Sequence, residues 1–266
     1  MKALCLTVDL DRDSNLSVPG QRQAGSLDRG EGAAPRFSSS EKGLGVLSDL
    51  LDEMGIKATF FAEGRTITEI EVAGHLSGHE VGIHGLDHED LTTLDPEGKR
   101  EILNGSMDMV KDITGHDPIC SRAPFMKADD EMFDILAEIG IRYDSSMYSD
   151  IGKQMLPYNI GRICEIPVPE GLDHNGGKIS AYMWPMHEGK RSPSDYANMA
   201  SGIEEGIFNI ATHTWHMVES RKDGPMSMER MERNVGNVGE VLGFLLDMGF
   251  KAMTIPEAVR SFPAHR

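Results

Sequence analysis

Glu80-Val81-Gly82-Ile83-His84-Gly85-Leu86-Asp87-His88 reads as a short apolar strand running into a polar turn that carries two imidazoles four positions apart. Neutral imidazole is the commonest protein ligand for a transition metal, and two at short spacing can share one ion. Two solvated loop histidines would give the same local pattern. The reading therefore rests on whether other strands also end in reactive side chains.

Outward from this stretch, β-rich apolar runs alternate with helical patterns. Strands are predicted over 3–9, 57–61, 80–83, 118–121, 141–143, 163–168, 206–212 and 251–254. A helix containing Leu44, Leu47, Leu50, Leu51 and Met54 is expected to be capped by Ser38-Ser39-Ser40-Glu41 and stopped by Gly55. Further helices are predicted at 67–77, 96–114, 129–140 and 227–248, with a short one from Pro256. Residues 12–40 form a long Gly-, Ser-, Arg- and Pro-containing insertion, expected to be a lid or a subunit contact. Residues 170–192 read as irregular, with a hairpin near 179–184. The alternation implies parallel βαβ units, and seven or eight of them favour a closed or nearly closed α/β barrel, a single domain over residues 1–266.

In such a barrel the chemistry gathers at the C-terminal ends of the strands. The unusual polar residues fall there: Asp9 and Asp11, His84 and His88, Arg122 before Pro124, Asp144, and His213 with His216. Asp9 and Asp11, two apart on extended chain, point the same way. Two histidines and one carboxylate make a catalytic zinc set, and a further carboxylate could take a proton from water activated there. Arg122 could orient that base and keep it ionised. A histidine opposite, His213 in preference to His216, could protonate a departing amine. Asp144 suits either a turn or the site. Trp184 and Trp215 could stack on a substrate or belong to the core. His75, His79, His116, His174, His187 and His265 read as loop or surface residues, of which His174 and His187, in the irregular segment, could still reach the site.

Composition narrows the class. With 26 basic and 43 acidic residues the net charge is −17, which disfavours a nucleic-acid partner. No run approaches the roughly 18 apolar residues of a membrane span. The N-terminus has too short an apolar stretch for a secretory leader, and Cys5, Cys120 and Cys164 read as free thiols. The cytoplasm is the expected compartment.

These residues resemble the motifs of the polysaccharide deacetylase superfamily, carbohydrate esterase family 4. Thr7-Val8-Asp9-Leu10-Asp11 is similar to the motif supplying the base and one metal ligand, and His84–His88 to the motif supplying two histidine ligands. Arg122-Ala123-Pro124, Tyr143-Asp144-Ser145-Ser146 and Ile210–His213 resemble the remaining three, the last carrying the general acid. Leu10 between the aspartates and Gly85 in place of Ser or Thr resemble a branch that contains cytoplasmic peptidoglycan-deacetylase-like proteins and metal-independent allantoinases. The resemblance implies a distorted TIM-like (β/α)7–8 barrel, often a homotetramer. It further implies a divalent ion, most simply zinc, on Asp11, His84 and His88. Asp9, Arg122, Asp144 and His213 would serve catalysis, with the oxyanion met by the ion and a backbone N–H after the Arg122 turn. The expected activity is deacetylation of an N-acetylated sugar or oligosaccharide. Hydrolysis of a small cyclic amide, imide or ureide is the alternative, and a non-catalytic ligand-binding barrel a third.

Overall fold

A computed structural model describes residues 1–13 and 35–262. Most of the 12–40 insertion, and His265, lie outside the described residues. Seven parallel strands build the central sheet: β1 (Lys2–Leu10), β2 (Thr59–Ala62), β3 (Glu80–Ile83), β4 (Cys120–Ser121), β5 (Tyr143–Asp144), β6 (Ile163–Glu165) and β7 (Glu205–His213). Their spatial order is β7-β1-β2-β3-β4-β5-β6, so the sheet steps strand by strand from β1 to β6 while β7 joins the other side of β1. β1 is buried along nearly its whole length, as a parallel strand covered on both faces must be.

The helices that cover the sheet are α1 (Ser38–Met54), α2 (Gly64–Glu69), α3 (Pro96–Thr114) and α4 (Asp130–Ile139), followed by the single turn α5 (Trp184–His187), then α6 (Pro193–Ala200), α7 (Met228–Asp247) and α8 (Ile255–Ser261). Leu44, Leu47 and Leu51 of α1 and Val238, Val241, Leu242 and Leu245 of α7 are fully buried against the strands, the helical spacing that the sequence shows.

Two helices differ from the sequence reading. α1 begins at Ser38, and its first free amides, those of Ser39 and Ser40, donate to the carboxylate of Asp13 rather than to a local serine. The helix expected at 67–77 is the six-residue α2, ending where Ile70 turns extended and Gly74 and Gly78 take positive φ. The hairpin also shifts: Val168–Leu172 pairs antiparallel with Lys178–Ser180 around a turn in which Asp173 accepts from the amides of Asn175 and Gly177.

The barrel has a seam, because among the described residues no ladder joins β6 to β7. Three devices span it. At one end, Gln154–Met155 pairs with β7 while Tyr158–Ile160 pairs with β6. At the other, Ala181 donates to Pro169 and Tyr182 bridges to Ala211 of β7. Between them, buried Asn209 donates from Nδ2 to the carbonyl of Ile166 and to Ser145 Oγ, while its Oδ1 accepts from Thr7. The amide side chain does the work of a missing backbone ladder. Asn209→Leu keeps the volume but orphans those partners; roughly 1–3 kcal/mol of stability should be lost for each group left unsatisfied. Denaturant unfolding checks this, and an unchanged midpoint would count against the seam argument.

Candidate active site

β1 carries Asp9 into register with His213 of β7 on one side and Phe61 of β2 on the other. β3 ends at Ile83, so His84 leaves the sheet beside Arg122, which leaves β4. Asp9, Asp11, His84, His88 and His213 thus meet around a cavity of about 220 Å³ whose walls include Phe125, Tyr148, Tyr182, Trp184 and Trp215.

One carboxylate oxygen of Asp11 and one ring nitrogen each of His84 and His88 lie within 4.8 Å of one another, all three residues buried. His84 Nδ1 donates to the carbonyl of Arg122 at 2.8 Å, which fixes the tautomer and leaves Nε2 as a bare lone pair. His88 Nε2 stands 3.3 Å from Asp11 Oδ2. Burial lowers the pKa of both histidines, keeping them neutral as ligands must be. Burial also raises the Asp11 carboxyl well above its ordinary range, and Asp11 Oδ1 has no hydrogen-bond partner. An unsatisfied buried carboxylate against two neutral imidazoles is costly. The three donors fit a divalent cation.

The His84–His88 turn is held from below. Glu89 accepts from the amides of Leu86 and Asp87, and Arg12, next to Asp11, pairs with Glu63 and Asp87. Gly85 has φ +73°, and a Cβ there would lie 3.1 Å from Glu89 Oε2 and 3.0 Å from Pro124 Cγ. A side chain at this position would be crowded as well as strained. Among the described residues, the non-glycine positions with positive φ are His88, Phe125 and Met126, and all three line the cavity. Left-handed backbone costs such residues on the order of 1–3 kcal/mol each, a strain that commonly accompanies sites.

Asp9 occupies the neighbouring position. Arg122, fully buried, donates from Nη1 to Asp9 Oδ1 at 2.9 Å; its remaining donors go to Thr7 Oγ1, Ser145 O and Ser145 Oγ, and its plane lies over Phe61. Tyr182 donates its hydroxyl to Asp9 Oδ2. Burial opposes ionisation of Asp9, yet the Arg122 guanidinium and the Tyr182 hydrogen bond outweigh it and hold the carboxyl well below the usual range. Oδ2 lies 4.0 Å from His84 Nε2 and 3.8 Å from His213 Nε2. Burial lowers the pKa of His213 well below that of free imidazole, and its Nδ1 has no partner.

Asp144 is placed differently from the expectation. It lies one layer down, outside the cavity, accepting from Ser121 Oγ at 2.5 Å and from the Ser146 amide. Its residues hold the Arg122 loop: Ser145 receives the guanidinium and Ser146 Oγ receives the Ala123 amide at 2.8 Å. The Ala123 N–H is therefore engaged, and Pro124 has none, so neither can meet an oxyanion. His187 is not a surface residue; Asn234 and Thr212 bind its two ring nitrogens. His216, set aside above, is fully buried, stacks on Trp215 and contacts Glu188 at 2.9 Å. His174 instead pairs with Asp195 on the surface side. Sequence reasoning passed over Tyr182, Glu188 and Arg221.

Burial above all, with a contribution from His216, lowers the pKa of His187 from 6.5 to about 3. The unfolded chain then binds a proton that the folded one refuses. Stability is fully present above pH 6.5 and should fall as pH drops towards 3, by roughly 1.4 kcal/mol per pH unit for each such histidine. Denaturant titrations at several pH values check this; equal stability at pH 7 and 4.5 would contradict it.

Residues 41–143 match the polysaccharide deacetylase family. A peptidoglycan deacetylase-like protein of Gibberella zeae is 31% identical over 149 residues, 54% of this chain and 43% of that protein. A peptidoglycan deacetylase of Helicobacter pylori is 29% identical over 112 residues, 41% of this chain and 38% of that one. The matches thus span well under half the length of these curated relatives. A Mycobacterium smegmatis protein solved as a candidate polysaccharide deacetylase superposes with a TM-score of 0.63 at 19% identity, over 98% of this chain and 90% of that one. The sequence match is thus to residues 41–143, and over almost its whole length the chain shares the fold of the Mycobacterium smegmatis protein.

Proposed function

We propose that this protein is a metal-dependent hydrolase that removes an acetyl group from the nitrogen of an N-acetylated sugar. The observation that carries the reading is the adjacency of an Asp11, His84, His88 donor set to an ionised Asp9 clamped by Arg122. A divalent ion on that set, zinc by its donors, supplies Lewis acidity that acidifies a water and polarises a carbonyl.

The chain's own groups do the rest. Asp9, ionised and directed by Tyr182 and Arg122, takes the proton of the attacking water. Water adds to the acyl carbon, and the C–N bond then breaks to release acetate. His213 protonates the leaving nitrogen. Because burial keeps His213 neutral at the start, the proton that it delivers is the one Asp9 removed; 3.8 Å separates the two groups. The aromatic walls seat a sugar face and exclude water. Asp144 and Ser145 act only by holding Arg122.

Among the described residues no helix is long and apolar enough to cross a membrane. Three buried free thiols support the cytoplasmic reading, and a homo-oligomer remains our expectation from the family branch.

Chelation should abolish hydrolysis, and zinc should restore it. Asp9→Asn should retain the ion while slowing turnover by about 10²- to 10⁴-fold, and His84→Ala should lose both. Full activity in metal-free protein would sink the reading. Turnover of hydantoin-like rings without turnover of N-acetyl sugars would shift it to cyclic amides.

A further inference from the structure

Beneath the cavity, two carboxylates are buried against each other. Asp144 of β5 and Glu165 of β6 are register partners in a parallel ladder, and neither has any exposure. Asp144 lies on the side of the sheet that faces α4, beside Met132 and Leu136. The nearest cation to Glu165 is Arg122, whose donors already go to Asp9, Thr7 and Ser145. The other titratable groups facing the pair are Cys120, Tyr158 and Cys164, and burial raises the pKa of each, so all three are neutral. Asp130, Glu131, Asp134 and Glu138 of α4 are exposed. Two ionised carboxylates placed here would repel each other at short range in a site that excludes water.

The hydrogen bonds decide which of the two carries the charge. Asp144 accepts from Ser121 Oγ at 2.5 Å and from the Ser146 amide at 2.9 Å. Glu165 Oε1 accepts from the Met147 amide at 3.0 Å. Glu165 Oε2 has no donor to accept from, and the group within its hydrogen-bonding reach is the Asp144 carboxylate. Two acceptors face to face are satisfied only by a proton between them. The anion stays on the residue with more donors, so the proton belongs on Glu165.

We propose that Asp144 and Glu165 hold a single proton between them, carried on Glu165, and that this proton locks the 144–147 turn on which Arg122 rests. The turn supplies the seat of the guanidinium: Ser145 accepts from Arg122 through its carbonyl and its hydroxyl, and Ser146 Oγ accepts from the Ala123 amide. Asp144 and Glu165 pin the amides at 146 and 147. Burial, and then the neighbouring Asp144 charge, raise the Glu165 carboxyl well above its ordinary range. Glu165 is thus a positioning residue, acting on Asp9 through Arg122. That role rests on the hydrolase reading above; the shared proton does not.

The test compares the native chain with Glu165→Gln, whose amide N–H donates to Asp144 without an ionisable proton. An unfolded glutamate is ionised above about pH 4.3, so folding takes up one proton at this site in the native chain and none in the variant. Stability from the raised carboxyl is fully present below that pH and is lost as pH rises towards the folded value. In denaturant unfolding, the ratio of folding constants should swing towards Glu165→Gln by about tenfold per pH unit from about pH 5.5 to 7. A ratio that stays flat over that range would overturn the shared proton. In hydrolysis by the metal-loaded chain, Glu165→Gln should keep kcat, whereas Glu165→Leu should lose about 10- to 100-fold in kcat with KM little changed. Equal kcat in all three would overturn the positioning role. Where Glu165→Leu fails to fold, loss of kcat in Glu165→Gln would overturn that role instead. No hydrolysis by the native chain would sink the hydrolase reading, and the positioning role with it, while the pH slope still decides the shared proton.

Discussion

The buried pair between Arg122 and Asp9 is the constraint on which the rest of this architecture depends. A guanidinium with no exposure must place its donors, and here each of its three nitrogens finds a fixed acceptor on one of two segments: Asp9 and Thr7 of β1, and Ser145 just after β5. Removing one partner of such a pair typically costs about 3–5 kcal/mol, because the other charge is left buried alone. The pair thus holds opposite sides of the barrel together and fixes the charge state of Asp9. Structure and chemistry use the same bond.

The same economy recurs around it. Ser40, at the start of α1, reaches the carbonyl of Asp11 and the hydroxyl of Thr214, tying the first strand's loop to the last strand's. Gly43 permits the approach, since a Cβ there would stand 1.9 Å from the Thr214 carbonyl. Asn209 closes the seam in the layer beneath Asp9, and through Ser145 it touches the group that receives Arg122. Neutral histidines, an ionised Asp9 and an unsatisfied Asp11 follow from burying these groups together rather than singly.

Much of this was legible in the sequence, for a physical reason. Parallel strands buried on both faces read as apolar runs, so a charged residue at a strand's end stands out, and Asp9, His84, Arg122 and His213 were found that way. Asp144 stands out equally, yet lies below the cavity, because the two-residue periodicity of a strand only two residues long cannot tell which layer its side chain enters. Tyr182 was invisible: it reaches Asp9 from an irregular segment, positioned by one isolated bridge to Ala211. Asp13 as the cap of α1, and Glu188 as the anchor of Arg221, are likewise contacts between residues far apart in the chain. The turn at Asp173 to Gly177 did have a signal, Asn175-Gly176, which would have set the hairpin at its observed place.

The central claim is that Asp11, His84 and His88 share one divalent ion. Anomalous diffraction at the zinc edge, from crystals of the zinc-treated protein, tests it most directly. The account expects a single strong peak within about 2.0–2.2 Å of one oxygen of Asp11 and one nitrogen of each histidine. A peak elsewhere, or none among these three residues in fully treated crystals, would contradict it.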